Sequence, residues 1–205
     1  MATSPVDLLG TRPPLTLADV ACPKAGALRD ALLVAGFIGV NALFAQVAIP
    51  LPFTPVPITG QTFAVRLTGG ILGARLGLIA LLGYLVAGAV GLPVFQPGGA
   101  AGAERFLGPT AGYLVGFAVS AWLMGRLAEA GWDRRFGRGI AAMLLASLPI
   151  YALGLIGLWL WQPMPLGTLL AKGLWPFLPG DVLKLVLAAG LLASGWRLVE
   201  RLKRV

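Results

Sequence analysis

The chain has 205 residues, of which 58% are hydrophobic and only 12% charged, and its mean hydropathy is +0.85. Soluble domains carry about 25% charged residues, so this is an integral membrane protein with the lipid bilayer as its surroundings. It has no histidine, which removes the usual general base and the commonest metal ligand, and its single cysteine, Cys22, leaves no intrachain disulfide or thiolate cluster. The net charge of +8 does not imply nucleic acid, because the basic residues flank apolar segments, as membrane topology requires.

Residues 1–24 read as a flexible cytoplasmic tail. Pro5, Asp7, Arg12, Pro13, Pro14 and Asp19 interrupt any apolar run, so the segment is no signal peptide. Residues 25–205 then form one membrane domain. A spanning helix needs about 20 mostly apolar residues, and 28–49 supplies the first. Pro50, Pro52, Pro55 and Pro57 stop it and impose an extended loop. Segment 61–73 is apolar but about half a span long, and Arg66 interrupts it. The next segment, 76–94, ends at Pro93 and is followed by the flexible stretch 98–102. Segment 110–127 is the fourth. A polar run, 129–138, separates it from 140–161, which Pro163 and Pro165 terminate. Segment 181–197 is the last. The expected fold is therefore an all-α membrane bundle of six helices with a short second helix.

With the N-terminus inside, the inner segments hold Arg12, Lys24, Arg29, Arg75, Arg126, Arg134, Arg135, Arg138, Arg197, Arg201, Lys203 and Arg204, whereas the outer loops hold only Arg105 and Lys172. The positive-inside rule places both termini in the cytoplasm. The proline- and glycine-rich loops 50–60, 93–109 and 162–180 all fall on the outer face.

Asp181 and Lys184 start the last helix at that same face. They share a helix side at i and i+3, and everything from there to Arg197 is apolar. An ionisable pair in a membrane segment is a site candidate. The bland alternative is an interfacial helix start, with Asp181 as cap and Lys184 snorkelling. There is no phosphate-binding loop and no nucleophile elbow, so the chain is not expected to be an enzyme or to hydrolyse ATP itself. Gly69/Gly73, Gly73/Gly77 and Gly112/Gly116 permit close helix approach inside the bundle, whereas Ala27, Ala31 and Ala35 form a small-residue stripe on the peripheral first helix, suited to docking another membrane subunit.

Four stretches carry a resemblance: Phe53-Thr54-Pro55-Val56-Pro57-Ile58-Thr59-Gly60-Gln61-Thr62, Gly91-Leu92-Pro93-Val94-Phe95, Gly108-Pro109-Thr110-Ala111-Gly112-Tyr113-Leu114 and Pro179-Gly180-Asp181-Val182-Leu183-Lys184. They resemble, in order, motifs of the biotin-transporter substrate-binding proteins (the BioY family), the S components of energy-coupling-factor transporters. The resemblance implies a six-helix S-component bundle that binds biotin near the outer face, needs no cofactor, and works with a transmembrane coupling subunit and ATPases. Asp181 and Lys184 would meet the ligand's polar groups, though the sequence leaves open whether these belong to the ureido head or the carboxylate. Tyr113, Trp175 and Phe177 would form apolar walls. Gln96 would supply a further hydrogen bond, and Thr59 and Gln61 would close the loop over the ligand. Ala27, Ala31 and Ala35 look like the family's docking stripe for the coupling subunit. Arg66, Ala111, Ala100 and Ala101 depart from the family pattern. A small secondary transporter of another organic solute is the alternative, although no inverted repeat marks one; a membrane scaffold would not need three irregular outer loops and a charged pair.

Overall fold

A computed structural model describes residues 16–23 and 26–202. The expected tail is only partly within them, since 1–15 and 24 lie outside the described residues. What is described of it is ordered. Helix α1 (Leu17–Ala21) opens with a capping box, in which the Thr16 hydroxyl accepts from the Asp19 amide and the Asp19 carboxylate from the Thr16 amide. Arg29 then bridges Asp19 at 3.0 Å and Asp30 at 2.9 Å, tying α1 to the start of α2 (Ala27–Gln46).

The proline-rich stretch is more regular than an extended loop. It forms an antiparallel hairpin, β1 (Ala48–Leu51) with β2 (Thr54–Thr59), with Ala48 opposite Thr59 and Ile49 opposite Ile58, and an irregularity before Leu51. A two-stranded ribbon has only edge strands, so Pro50, Pro55 and Pro57 are accommodated without breaking a central ladder.

Helix α3 (Gln61–Ala89) joins the two segments expected at 61–73 and 76–94 into one kinked element. The kink is at Gly73, where φ is 81° and ψ −179°, a conformation that only glycine adopts without strain. It frees the amide of Ala74, which donates to the Glu129 carboxylate at 2.8 Å. Glu129 thus caps the second half of α3 from the end of α4 (Ala111–Glu129). Helix α5 (Phe136–Trp161), the short α6 (Leu166–Gly173) and α7 (Leu178–Leu202) complete the order. Among the described residues five helices are long and apolar enough to cross a membrane: α2, α3, α4, α5 and α7.

The tightest pairings are α3 with α4 and α4 with α5. Small residues make them possible. A Cβ at Gly69 would overlap the Ala121 carbonyl, and one at Gly112 the Leu153 carbonyl, so these glycines serve internal packing. Helix α2 is peripheral, burying only Asn41 and Ala45, and Ala27, Ala31 and Ala35 are exposed on it. The polar run after α4 is not wholly solvated. Asp133 is fully buried and accepts from the Trp196 indole at 2.5 Å, which ties the α4–α5 connection to α7. Burial pushes its carboxyl above the usual range, and the Trp196 bond opposes that shift.

Candidate ligand-binding site

Asp181 is not the cap of its helix. Helix α7 starts at Leu178, so Asp181 is its fourth residue, within the first turn, and its carboxylate turns across to α3. There it accepts from the Thr62 hydroxyl at 2.6 Å on one oxygen and from the Arg66 guanidinium at 2.5 Å on the other. Lys184 stands 3.5 Å from the first oxygen and donates to the Thr59 carbonyl at 2.6 Å and to Thr62 at 3.3 Å. Arg66 is completely buried and also donates to Ser147 on α5 at 2.7 Å. The cluster centred on this carboxylate therefore draws together α3 and α7 directly, α5 through Arg66 and the end of β2 through Lys184.

Arg66 is the residue that sequence reading misplaced. It reads as an interruption of a half-span, but in the fold it is the principal ionic partner of Asp181. A signal was present: a guanidinium in an apolar helix needs a buried acceptor, and Asp181 is an acid inside another apolar segment.

Above this cluster lies a cavity of about 490 Å³, its open mouth included, within the roughly 300–1,000 Å³ range of small-molecule sites. Thr59, Gln61, Gln96, Tyr113, Phe177, Asp181 and Lys184 all line it, together with Thr62, Phe117, Ile150 and Tyr151, which the sequence did not single out. The hairpin contributes Val56 and Pro57. Trp175 does not line the cavity. It is 56% exposed, because the turn between α6 and α7 buries Phe177 and directs Trp175 away.

The walls are held by bonds that do not consume the open face. The Tyr113 hydroxyl donates to the Gly173 carbonyl at 2.7 Å, fixing the end of α6 while its ring lines the cavity. Gln61 donates to Tyr84 at 2.8 Å, and Tyr84 to the Val94 carbonyl at 3.2 Å. Thr54 donates to the Lys172 carbonyl at 2.7 Å, so the hairpin is pinned to α6 as a roof. A second cavity adjoins the first and shares Pro57, Gln96 and Thr110 with it. No group of three or more metal-binding side chains occurs among the described residues. The site presents an acceptor-only carboxylate and a donor-only ammonium at the base of an aromatic and aliphatic chamber. This suits a small organic molecule with both donor and acceptor atoms.

The chain resembles proteins of one kind. A family model described as "BioY family" matches residues 14–201. The "Biotin transporter BioY" of Rhizobium etli is 40% identical over 78% of this chain and 89% of its own length. The "Probable biotin transporter BioY" of Pyrococcus horikoshii is 34% identical over 76% of this chain and 89% of its own. Among solved structures, the S component for biotin from an ECF-type ABC transporter superposes with a TM-score of 0.73 at 30% identity, covering 82% of this chain and 90% of that one. With the family match spanning nearly every described residue, the chain belongs to the BioY family.

Proposed function

We propose that this protein binds biotin in the chamber above Asp181 and Lys184 and is the substrate-specificity subunit of an energy-coupling-factor transporter that imports it. The observation that carries the reading is the charged cluster at the base of an apolar cavity roofed by the hairpin, in a chain of this family. A ureido ring offers two N–H donors and one carbonyl acceptor; Asp181 accepts and Lys184 donates. Each charge-assisted hydrogen bond contributes about 1.5–3 kcal/mol. Gln96, Thr59 and Gln61 border the chamber, and Tyr113 and Phe177 give it aromatic surface for the ring and acyl chain. The chain performs no chemistry; a transmembrane coupling subunit and ATPases supply the energy.

Counting the two halves of α3 separately turns the five long apolar helices among the described residues into six segments, and the kink at Gly73 supports that count. The basic residues support cytoplasmic termini and a hairpin on the outer face. Calorimetric titration of the purified, ligand-free protein is expected to show saturable biotin binding. No heat with biotin, alongside clear binding of another vitamin, would overturn the reading.

Ala27, Ala31 and Ala35 are exposed on a helix that the bundle barely buries, which supports their assignment as a docking stripe for the coupling subunit. The double variant Ala31→Trp/Ala35→Trp is expected to bind biotin like wild type and to lose ATP-dependent uptake when reconstituted with the coupling module. Loss of binding with normal transport per bound ligand would make the stripe a packing surface instead.

A further inference from the structure

We infer that Arg105 is the anion receptor of the site, holding the carboxylate end of the ligand in the cavity that adjoins the Asp181 chamber. The inference rests on the reading of the chamber as a biotin site and says which end of the molecule goes where.

Arg105 lies in the 3-10 turn Gly102–Leu107 and is only 7% exposed. One of its terminal nitrogens donates to the Gln96 carbonyl at 2.6 Å, and its guanidinium stands 5.7 Å from the Phe95 ring centroid. A Cβ at Gly99 would overlap the guanidinium, so the glycine-rich loop is shaped around it. Its Nε has no hydrogen-bond partner, and no carboxylate pairs with it among the described residues. A buried cation without a counter-ion is costly, and one carbonyl bond could be made by a neutral side chain. The charge is therefore spare, and it lines a cavity. Burial lowers the Arg105 pKa, with Tyr84 opposing, yet a guanidinium remains protonated.

That cavity shares Pro57, Gln96 and Thr110 with the chamber. The Thr110 hydroxyl, also buried and without a partner, lines both. Among the described residues the two adjoining cavities are lined by two cations, Lys184 and Arg105, and one anion, Asp181, whose charge Arg66 already engages from behind the wall. An elongated ligand with a neutral hydrogen-bonding head and a carboxylate tail matches this arrangement. The head meets Asp181 and Lys184, and the tail lies on Arg105 and Thr110, reducing the excess positive charge.

The test compares biotin with its neutral primary amide, by calorimetry on the full-length protein in detergent. Wild type is expected to prefer the acid at least tenfold. Arg105→Gln is expected to weaken the acid about tenfold or more while leaving the amide within threefold, so the preference collapses; Arg105→Lys should retain part of it. Wild type binding acid and amide equally overturns the inference and leaves the biotin reading standing, whether or not the glutamine variant folds. An Arg105→Gln protein that keeps the wild-type preference also overturns it. Wild type binding neither compound overturns the biotin reading and the inference together.

Discussion

Asp181→Asn is expected to lower the stability of the ligand-free protein by about 3–5 kcal/mol, because it breaks a buried ion pair from one side. The carboxylate has three donors to satisfy, Arg66, Thr62 and Lys184. Of these, Arg66 is wholly buried and has nowhere to turn for another acid. Biotin affinity is expected to fall about a hundredfold or more, equivalent to roughly 3 kcal/mol. The double variant Arg66→Met/Asp181→Asn removes the orphaned guanidinium as well. It is expected to recover most of the stability, as apolar replacements of buried pairs often do, and to remain defective in binding. Unfolding in detergent followed by fluorescence gives the first quantity, and titration calorimetry the second. A single variant as stable as wild type would show that the pair contributes nothing to the fold. A double variant that binds normally would remove Asp181 from the site.

The second large effect concerns the seam between α4 and α5. At Gly112 an added Cβ meets the carbonyl carbon and oxygen of Leu153 and the Cα of Gly157, all of them backbone atoms that no side-chain rotation can move aside. Gly112→Ala is expected to force the helices apart and to cost about 1–3 kcal/mol, and Gly112→Leu more, with little folded protein recovered. Tyr113 sits next to this contact and lines the chamber, so the alanine variant should also bind biotin more weakly than its stability alone implies. Gly137→Ala on α5 is the control. Nothing lies within 4 Å of the added carbon, and helix propensity favours alanine by about 0.5–1 kcal/mol. Equal unfolding midpoints for the two alanine variants would mean that the seam adjusts freely.

The hydrophobic spans were legible because each is dictated locally, by an apolar run of the required length bounded by proline, glycine or charge. That is why segments 110–127, 140–161 and 181–197 correspond to α4, α5 and α7 with shifts of a few residues at their ends. The candidate site was legible in part for the same kind of reason. Asp181 and Lys184 are three residues apart, so their proximity follows from helix geometry alone; Thr59, Gln61 and Tyr113 lie within recognisable stretches, and Gln96 and Phe177 lie beside two others. Trp175 precedes the last of these stretches as Phe177 does, but which of two aromatics two residues apart turns inward depends on the turn they occupy, and here it is Phe177.

By itself, then, the sequence determined the class of the protein, the approximate spans, the family resemblance and the local charged pair, all of which depend on composition and on residues near one another in the chain. Tertiary structure decided what depends on distance. Arg66 and Asp181 are 115 positions apart, and only the packing of α3 against α7 makes them an ion pair. Trp196 and Asp133 meet in the same way across 63 positions. The kink at Gly73 is a choice between two short helices and one bent one, settled when Glu129 arrives from the far end of α4 to take the freed amide. A buried charge is unstable until its partner is in place, so such residues look anomalous in a linear reading and become necessary in the folded one.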